Sequence, residues 1–217
     1  MRKEERFRLV LGYFLENRPK AETELVYAEP YQLVVAVILS AQCTDKRVNI
    51  ITPPFFRMFP DAGSLAAADP AEVFELIRSC TYPNNKTKSL IGMAKSLVGT
   101  YNGVLPSDVA ELQKIPGIGR KTANVLASVI YDKPALAVDT HVFRVSARIG
   151  LTTNAKNPLQ AEQQLIRYIP EHLRSIAHHW LILHGRYTCV ARNPKCSECG
   201  IKSLCRYFAT DQATKSC

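Results

Sequence analysis

Lys121 stands two residues beyond a tight glycine turn, in the stretch LQKIPGIGRKTANV over residues 112–125. An amine there can do two things. It can hold a phosphate, or, with some free-base population, it can attack an electrophilic carbon. The first turn of a helix is an unfavourable place for a lysine, because the macrodipole repels cations there. That repulsion, with Arg120 alongside, is expected to depress the amine's pKa, and a bound phosphate would raise it again.

An attacking lysine needs a base, and Asp139 is the candidate. A helix over 120–131 is about 18 Å long at 1.5 Å per residue. The return segment DKPALAV, 132–138, can span roughly 23 Å if extended, so Asp139 can come back level with Lys121. Asp139 also opens the helix VDTHVFR and is expected to cap it. A carboxylate can do both, and position alone does not choose between them.

The third group is thiolate chemistry. Cys189, Cys196, Cys199 and Cys205 follow the pattern C-x6-C-x2-C-x5-C. Four thiols this close fit a structural zinc or an iron–sulfur cluster. Arg192 and Lys195 lie in the loop between the first two, so a metal that pins this loop would present two cations. The other three of the seven cysteines are Cys43, expected to be a small buried apolar residue, and Cys80 and Cys217, with no evident partner.

The elements that must position these groups all read as helices. Apolar residues recur at helical spacing between short Pro, Gly, Asn and Asp turns, with almost no strand signal. The spacing predicts helices over about 3–16, 31–43, 63–67, 70–78, 84–100, 108–114, 120–131, 139–149, 158–168 and 171–187, plus one beginning at TDKRVNII. The helix over 31–43 is apolar nearly all round and should be buried at a centre. Pro53 and Pro54 should kink or end the helix that begins near Thr44. The fold class is therefore all-α, with a small irregular cap formed by the cysteine loop.

Between the helices of 108–114 and 120–131, IPGIG makes a helix–hairpin–helix. Gly117 and Gly119 allow a tight turn and a close approach by a partner. The turn's amides and the helix dipole form an anion site, to which Arg120 and Lys121 add charge. A DNA phosphate suits it, and contact through amides reads backbone rather than base sequence. The 28 basic and 19 acidic residues give a net charge of +9, which fits a polyanionic partner. The longest strictly apolar run, Leu33 to Leu39, is too short to cross a bilayer, and the start MRKEERFRLV has no apolar signal-peptide core.

The hairpin with Lys121, then Asp139, then the cysteine pattern, in that order, resembles the endonuclease III family of DNA glycosylases. LSAQCTDKRVN at 39–49, IPGIGRKTANV at 115–125 and VDTHVFRV at 138–145 are similar to stretches typical of that family. The resemblance covers about residues 5–206. It implies two helical lobes with a DNA groove between them: a six-helix barrel over 23–133 containing the hairpin at 108–131, and a discontinuous lobe of 1–22 plus 134–217. It also decides the metal, implying a [4Fe-4S] cluster held by the loop 189–205.

The implied activity is removal of oxidised pyrimidines from double-stranded DNA, followed by a strand nick at the abasic site. The damaged nucleotide must leave the stack to be reached. Lys121 would attack C1′ of its sugar, displace the base and form a Schiff base, and β-elimination would then cut on the 3′ side. Asp139 would take the lysine proton or steady the charge growing on the sugar. Gln42 matches the family residue that fills the vacated space in the duplex. Ile115, Gly117, Gly119 and Arg120 of the hairpin, with Arg192 and Lys195, complete the expected DNA contacts. At CTYPNNKTKSL, 80–90, the family often has a glycine followed by a bulky apolar residue that wedges into the opposite strand. Thr81 and Tyr82 stand here instead, and Tyr82 could stack between bases.

The family resemblance implies a monomer in the bacterial cytoplasm, at the nucleoid. Two alternatives remain at this point. A monofunctional adenine glycosylase would share hairpin and cluster, but usually lacks the lysine and carries a glutamate on the helix matching 31–43, where this chain has no acid. A non-catalytic hairpin protein would only grip DNA.

Overall fold

The computed structural model describes residues 1–215. They contain twelve α-helices, three short 3-10 turns and no strand. The chain divides into two units, one of Glu24–Asp132 and one of Met1–Thr23 with Lys133–Cys217.

The continuous unit contains helices α2 (Pro30–Ser40), α3 (Asp45–Met58), α4 (Ala62–Ala66), α5 (Pro70–Ile77), α6 (Pro83–Tyr101), α7 (Val109–Leu112) and α8 (Arg120–Tyr131). Every residue from Leu33 to Leu39 in α2 is buried. This helix packs against α3, α6 and α8, so its all-round apolar surface has partners on several sides.

Helix α2 stops three residues earlier than the sequence predicts, and α3 takes one of the two courses the sequence allows. Helix α2 ends at Ser40, which leaves Gln42 and Cys43 in a turn. Helix α3 does not end at Pro53 and Pro54 but runs on to Met58. The two prolines sit on its outer side, between the buried Thr52 and Phe55. Their missing N–H groups leave acceptors at Asn49 and Ile50, residues near solvent, where water can replace the lost bonds.

The discontinuous unit joins α1 (Lys3–Asn17) to α9 (Thr140–Ile149), α10 (Pro158–Leu165), α11 (Arg174–Tyr187) and α12 (Arg206–Lys215). Phe7, Val10, Leu11 and Phe14 of α1 enter one core with Val142, Val145, Ala177 and Trp180. The rings of Phe14 and Trp180 stack at 5.7 Å, and Trp180 Nε1 donates to Arg18 O at 2.8 Å, so the indole is both packed and satisfied. Leu136, Ala137 and Val138 are buried in the segment leading to Asp139. A hydrogen bond of 2.7 Å between His178 Nδ1 and Ala137 O fixes that segment before α9 begins.

Candidate active site and iron–sulfur loop

The hairpin is built on α7, the turn 113–119 and α8. Asp108 caps α7 by accepting from the N–H groups of Ala110 and Glu111. Ile118 N donates back to Ile115 O at 3.1 Å and closes the turn. Gly117 has φ +80, a left-handed value. A Cβ on it would also lie 2.7 Å from Ser89 Cβ, so only glycine fits. Gly119 is different: its φ is −84, and a Cβ there would meet nothing within 4 Å. The fold needs Gly117, while nothing inside the unit requires Gly119 to lack a side chain.

The N–H groups of Gly117 and Gly119 have no backbone acceptor among the described residues, and both residues are exposed, as are Arg120 and Lys121. Ile115, expected among the DNA contacts, turns its side chain inward. Its side chain is 2% exposed and its N–H donates to Leu112 O at 3.2 Å. Side chain and amide are thus used within the turn, and Ile115 supports the hairpin instead of reaching outward.

These differences set up a test. Gly117→Ala should cost at least about 1–2 kcal/mol from the left-handed backbone alone. Gly119→Ala should stay within about 0.5 kcal/mol of the parent. Chemical denaturation of the two variants measures both.

Asp139 is the N-cap of α9, with an oxygen accepting from Val142 N at 2.8 Å. It is half-buried. One carboxylate oxygen satisfies the helix terminus, which leaves the other for chemistry.

Gln42 and Tyr82 are both exposed and both left-handed, with φ of 54 and 55. The remaining non-glycine residues with positive φ are Asn or Asp, which tolerate that region far better. Strain of this kind collects where a side chain must be aimed. Thr81 Oγ1 donates to Gln42 O at 2.8 Å and ties the two turns together. Lys86, 6% exposed, donates from Nζ to Leu39 O at 2.7 Å and Ala41 O at 2.8 Å, terminating α2 just before Gln42. Burial holds its pKa below the ordinary lysine range. Cys43 is half-exposed, not buried, and its Sγ lies 3.9 Å from that of Cys80. Cys217 is outside the described residues.

In the discontinuous unit, Cys189, Cys196, Cys199 and Cys205 line one recess, walled also by Ile149, Ile201 and other apolar groups. Burial pushes the thiols of Cys199 and Cys205 up. Among the described residues, no three His, Cys, Asp or Glu converge as a single-ion site. Four thiols spread around one recess suit a multi-iron cluster. Lys195 N donates to Thr188 O at 3.0 Å and closes the loop in which Arg192 and Lys195 are exposed. Tyr13 packs so closely on Gly200 that a Cβ there would collide with the ring.

Two residues that hold this loop carry no signal in the cysteine spacing. Arg144 Nη2 donates to Gly185 O at 2.9 Å and Cys189 O at 3.1 Å. Arg148 Nη1 donates to Val190 O at 2.7 Å and approaches Cys189 Sγ at 3.5 Å, while its Nη2 donates to Ala191 O at 2.8 Å. Both project from α9, the helix capped by Asp139, so one helix positions that carboxylate and the backbone around Cys189. Arg148→Met should accelerate iron loss to a chelator about 10–100-fold, followed by visible absorbance.

The comparisons agree with this geometry. Residues 35–171 match the HhH-GPD superfamily of base excision DNA repair proteins. Residues 189–205 match the iron–sulfur binding domain of endonuclease III. Fold and site thus define a helix–hairpin–helix protein of base excision repair.

The chain is 45% identical over 188 residues to endonuclease III of Bacillus subtilis strain 168, covering 87% of this chain and 86% of that one. It is 39% identical over 198 residues to endonuclease III of Escherichia coli K12, covering 91% and 93%. Its fold matches that of a trapped endonuclease III–DNA covalent intermediate with a TM-score of 0.93 at 40% identity, over 98% of this chain and 100% of the other. The chain belongs to the endonuclease III family: it is a DNA glycosylase with AP lyase activity, and its cofactor is a [4Fe-4S] cluster. Among the described residues, no helix is long and apolar enough to cross a membrane.

Proposed function

We propose that this enzyme removes oxidised pyrimidines from double-stranded DNA and cuts the strand at the abasic site, with Lys121 as nucleophile and Asp139 as its partner. The observation that carries this reading is the outer face of the hairpin. Gly119 has an unoccupied approach and an N–H without a backbone acceptor, and exposed Arg120 and Lys121 follow it. A phosphate seated on these amides sets the register of the duplex, and the amine two residues on then meets the sugar of an extruded nucleotide.

Asp139 accepts a proton from Lys121 Nζ. The free amine attacks C1′, the C1′–N bond breaks and the base departs. Opening of the sugar gives an imine between C1′ and Nζ. Loss of a C2′ proton expels the 3′ phosphate, and water then releases the lysine. As positive charge grows on the sugar, the Asp139 carboxylate stabilises it.

Gln42 fills the gap in the duplex and Tyr82 stacks beside the opposite strand, in keeping with their exposed, strained positions. Cys189, Cys196, Cys199 and Cys205 would hold the cluster, which when bound cross-links the loop and presents Arg192 and Lys195 to the phosphate backbone. A net charge of +9 supports a monomer that works along nucleoid DNA in the cytoplasm.

Duplexes carrying one lesion each, incubated with the holoenzyme, test the reading. Oxidised pyrimidines should be excised with a β-elimination end on the cut strand. Excision without that end, or excision confined to mismatched adenine, would contradict it.

A further inference from the structure

Two thiols lie beneath the strained turns and take no part in the repair chemistry. Cys43 follows Gln42, and Cys80 is two residues before Tyr82. Their sulfurs are 3.9 Å apart and both are free. A disulfide needs about 2.0 Å, so a small closure would join them. The turns are already held around the pair by the Thr81–Gln42 bond and by Lys86 on Leu39 and Ala41. Lys86 and Arg47 are the cations that act on Cys80. Cys80 is 5% exposed, and burial pushes its thiol up to about 11. Cys43 is half-exposed, so it meets an oxidant first.

We propose that Cys43 and Cys80 form an oxidisable pair whose disulfide displaces Gln42 and Tyr82 and weakens the grip on damaged DNA. Hydrogen peroxide is the oxidant. The Cys43 thiolate attacks a peroxide oxygen, the O–O bond breaks, and a sulfenic acid and hydroxide form. Cys80 sulfur then attacks Cys43 sulfur, the S–O bond breaks, and water leaves with the Cys80 proton. Two thiols have lost two electrons and two protons, and hydrogen peroxide has become two waters. The DNA consequence rests on the roles proposed above for Gln42 and Tyr82. The bond itself does not.

Closing the gap between the sulfurs moves backbone next to both side chains. Misplacement by about 1 Å can cost on the order of 100-fold in rate where reacting groups must align; for affinity, which draws on Gln42 and Tyr82 as two contacts among several, a fall of about tenfold or more is expected here.

The test uses holoenzyme carrying Cys217→Ser, treated with diamide, a thiol-selective diazene that takes up the two hydrogens. Cluster absorbance is monitored throughout. Non-reducing peptide mapping should find Cys43 joined to Cys80, affinity for abasic duplex should fall about tenfold or more, and dithiothreitol should restore it. Cys80→Ser should show no response to diamide. Absence of the cross-link overturns the pair. A cross-link that leaves affinity unchanged overturns the DNA consequence. So does a cross-link in a protein whose reduced form never held abasic DNA, and that result also removes the roles of Gln42 and Tyr82.

Discussion

Lys121→Gln is expected to lower base excision and strand cleavage about 10⁴-fold or more while leaving affinity for abasic duplex within about tenfold. The loss is large because a nucleophile is not one contact among many: without it the covalent route closes, and only positioning and electrostatics remain. On the proposed roles, affinity is expected to survive, because the amides of the turn, Arg120 and the cations of the cluster loop are untouched. Lys121 is exposed in the first turn of α8, so the substitution should change stability by no more than about 0.5 kcal/mol. Single-turnover cleavage, abasic-duplex titration and denaturation, run on one preparation, separate these quantities. A proportional fall in affinity and rate would reduce Lys121 to a phosphate ligand.

Asp139→Asn should lower the single-turnover rate about 10²–10⁴-fold, the range for a positioned proton acceptor. Asparagine caps a helix about as well as aspartate, so the bond to Val142 N that starts α9 is retained. The variant removes the charge and spares the cap. Asp139→Ala removes both and should cost about 1 kcal/mol of stability in addition. If Asp139→Asn cleaves at the parental rate, Asp139 is a cap and nothing more. If both variants are equally destabilised, the cap was not the structural role. Comparing the pair therefore separates the two functions that position alone left open.

What could be read from the residues depends on how local its cause is. Helix α2 was legible because an apolar run with no polar face has one stable environment, a core. The cap of α9 was legible because Asp139 acts on an amide three residues away. The sequence leaves α3 open between a kink and an end at Pro53 and Pro54, since whether a proline ends a helix depends on where the orphaned carbonyls point. Here that is toward solvent, and the rest of the helix has its own buried face at Val48, Ile51, Thr52 and Phe55.

The end of α2 was placed too late for a similar reason. Lys86, more than 40 residues on, supplies the donors that satisfy its last carbonyls. Helix α12 has no apolar stripe to announce it. Arg148 from α9 lies 4.9 Å over the Tyr207 ring within it, a contact between residues far apart in the chain.

The same distinction divides the candidate site. Glycines and cysteines carry their meaning in short spacings, so the hairpin and the cluster loop were evident. Their supports were not. Arg144 and Arg148 look like ordinary charges on an amphipathic helix, and only the fold brings them to the carbonyls of residues 185–191. The hairpin motif also concealed a division of labour. Gly117 and Gly119 look equivalent as letters, yet one is required by the chain's own packing and the other faces open space. Ile115 reads as part of the motif's outer surface and is in fact part of its core.

The most direct measurement is borohydride reduction of the enzyme in the act of cleaving an abasic duplex, followed by proteolysis and mass mapping of the residue that bears the reduced sugar. The sugar should be found on Nζ of Lys121, and Lys121→Gln should yield no adduct at that or any other residue. An adduct mapped to a different amine, or one formed at parental yield by Lys121→Gln, would show that the nucleophile lies elsewhere.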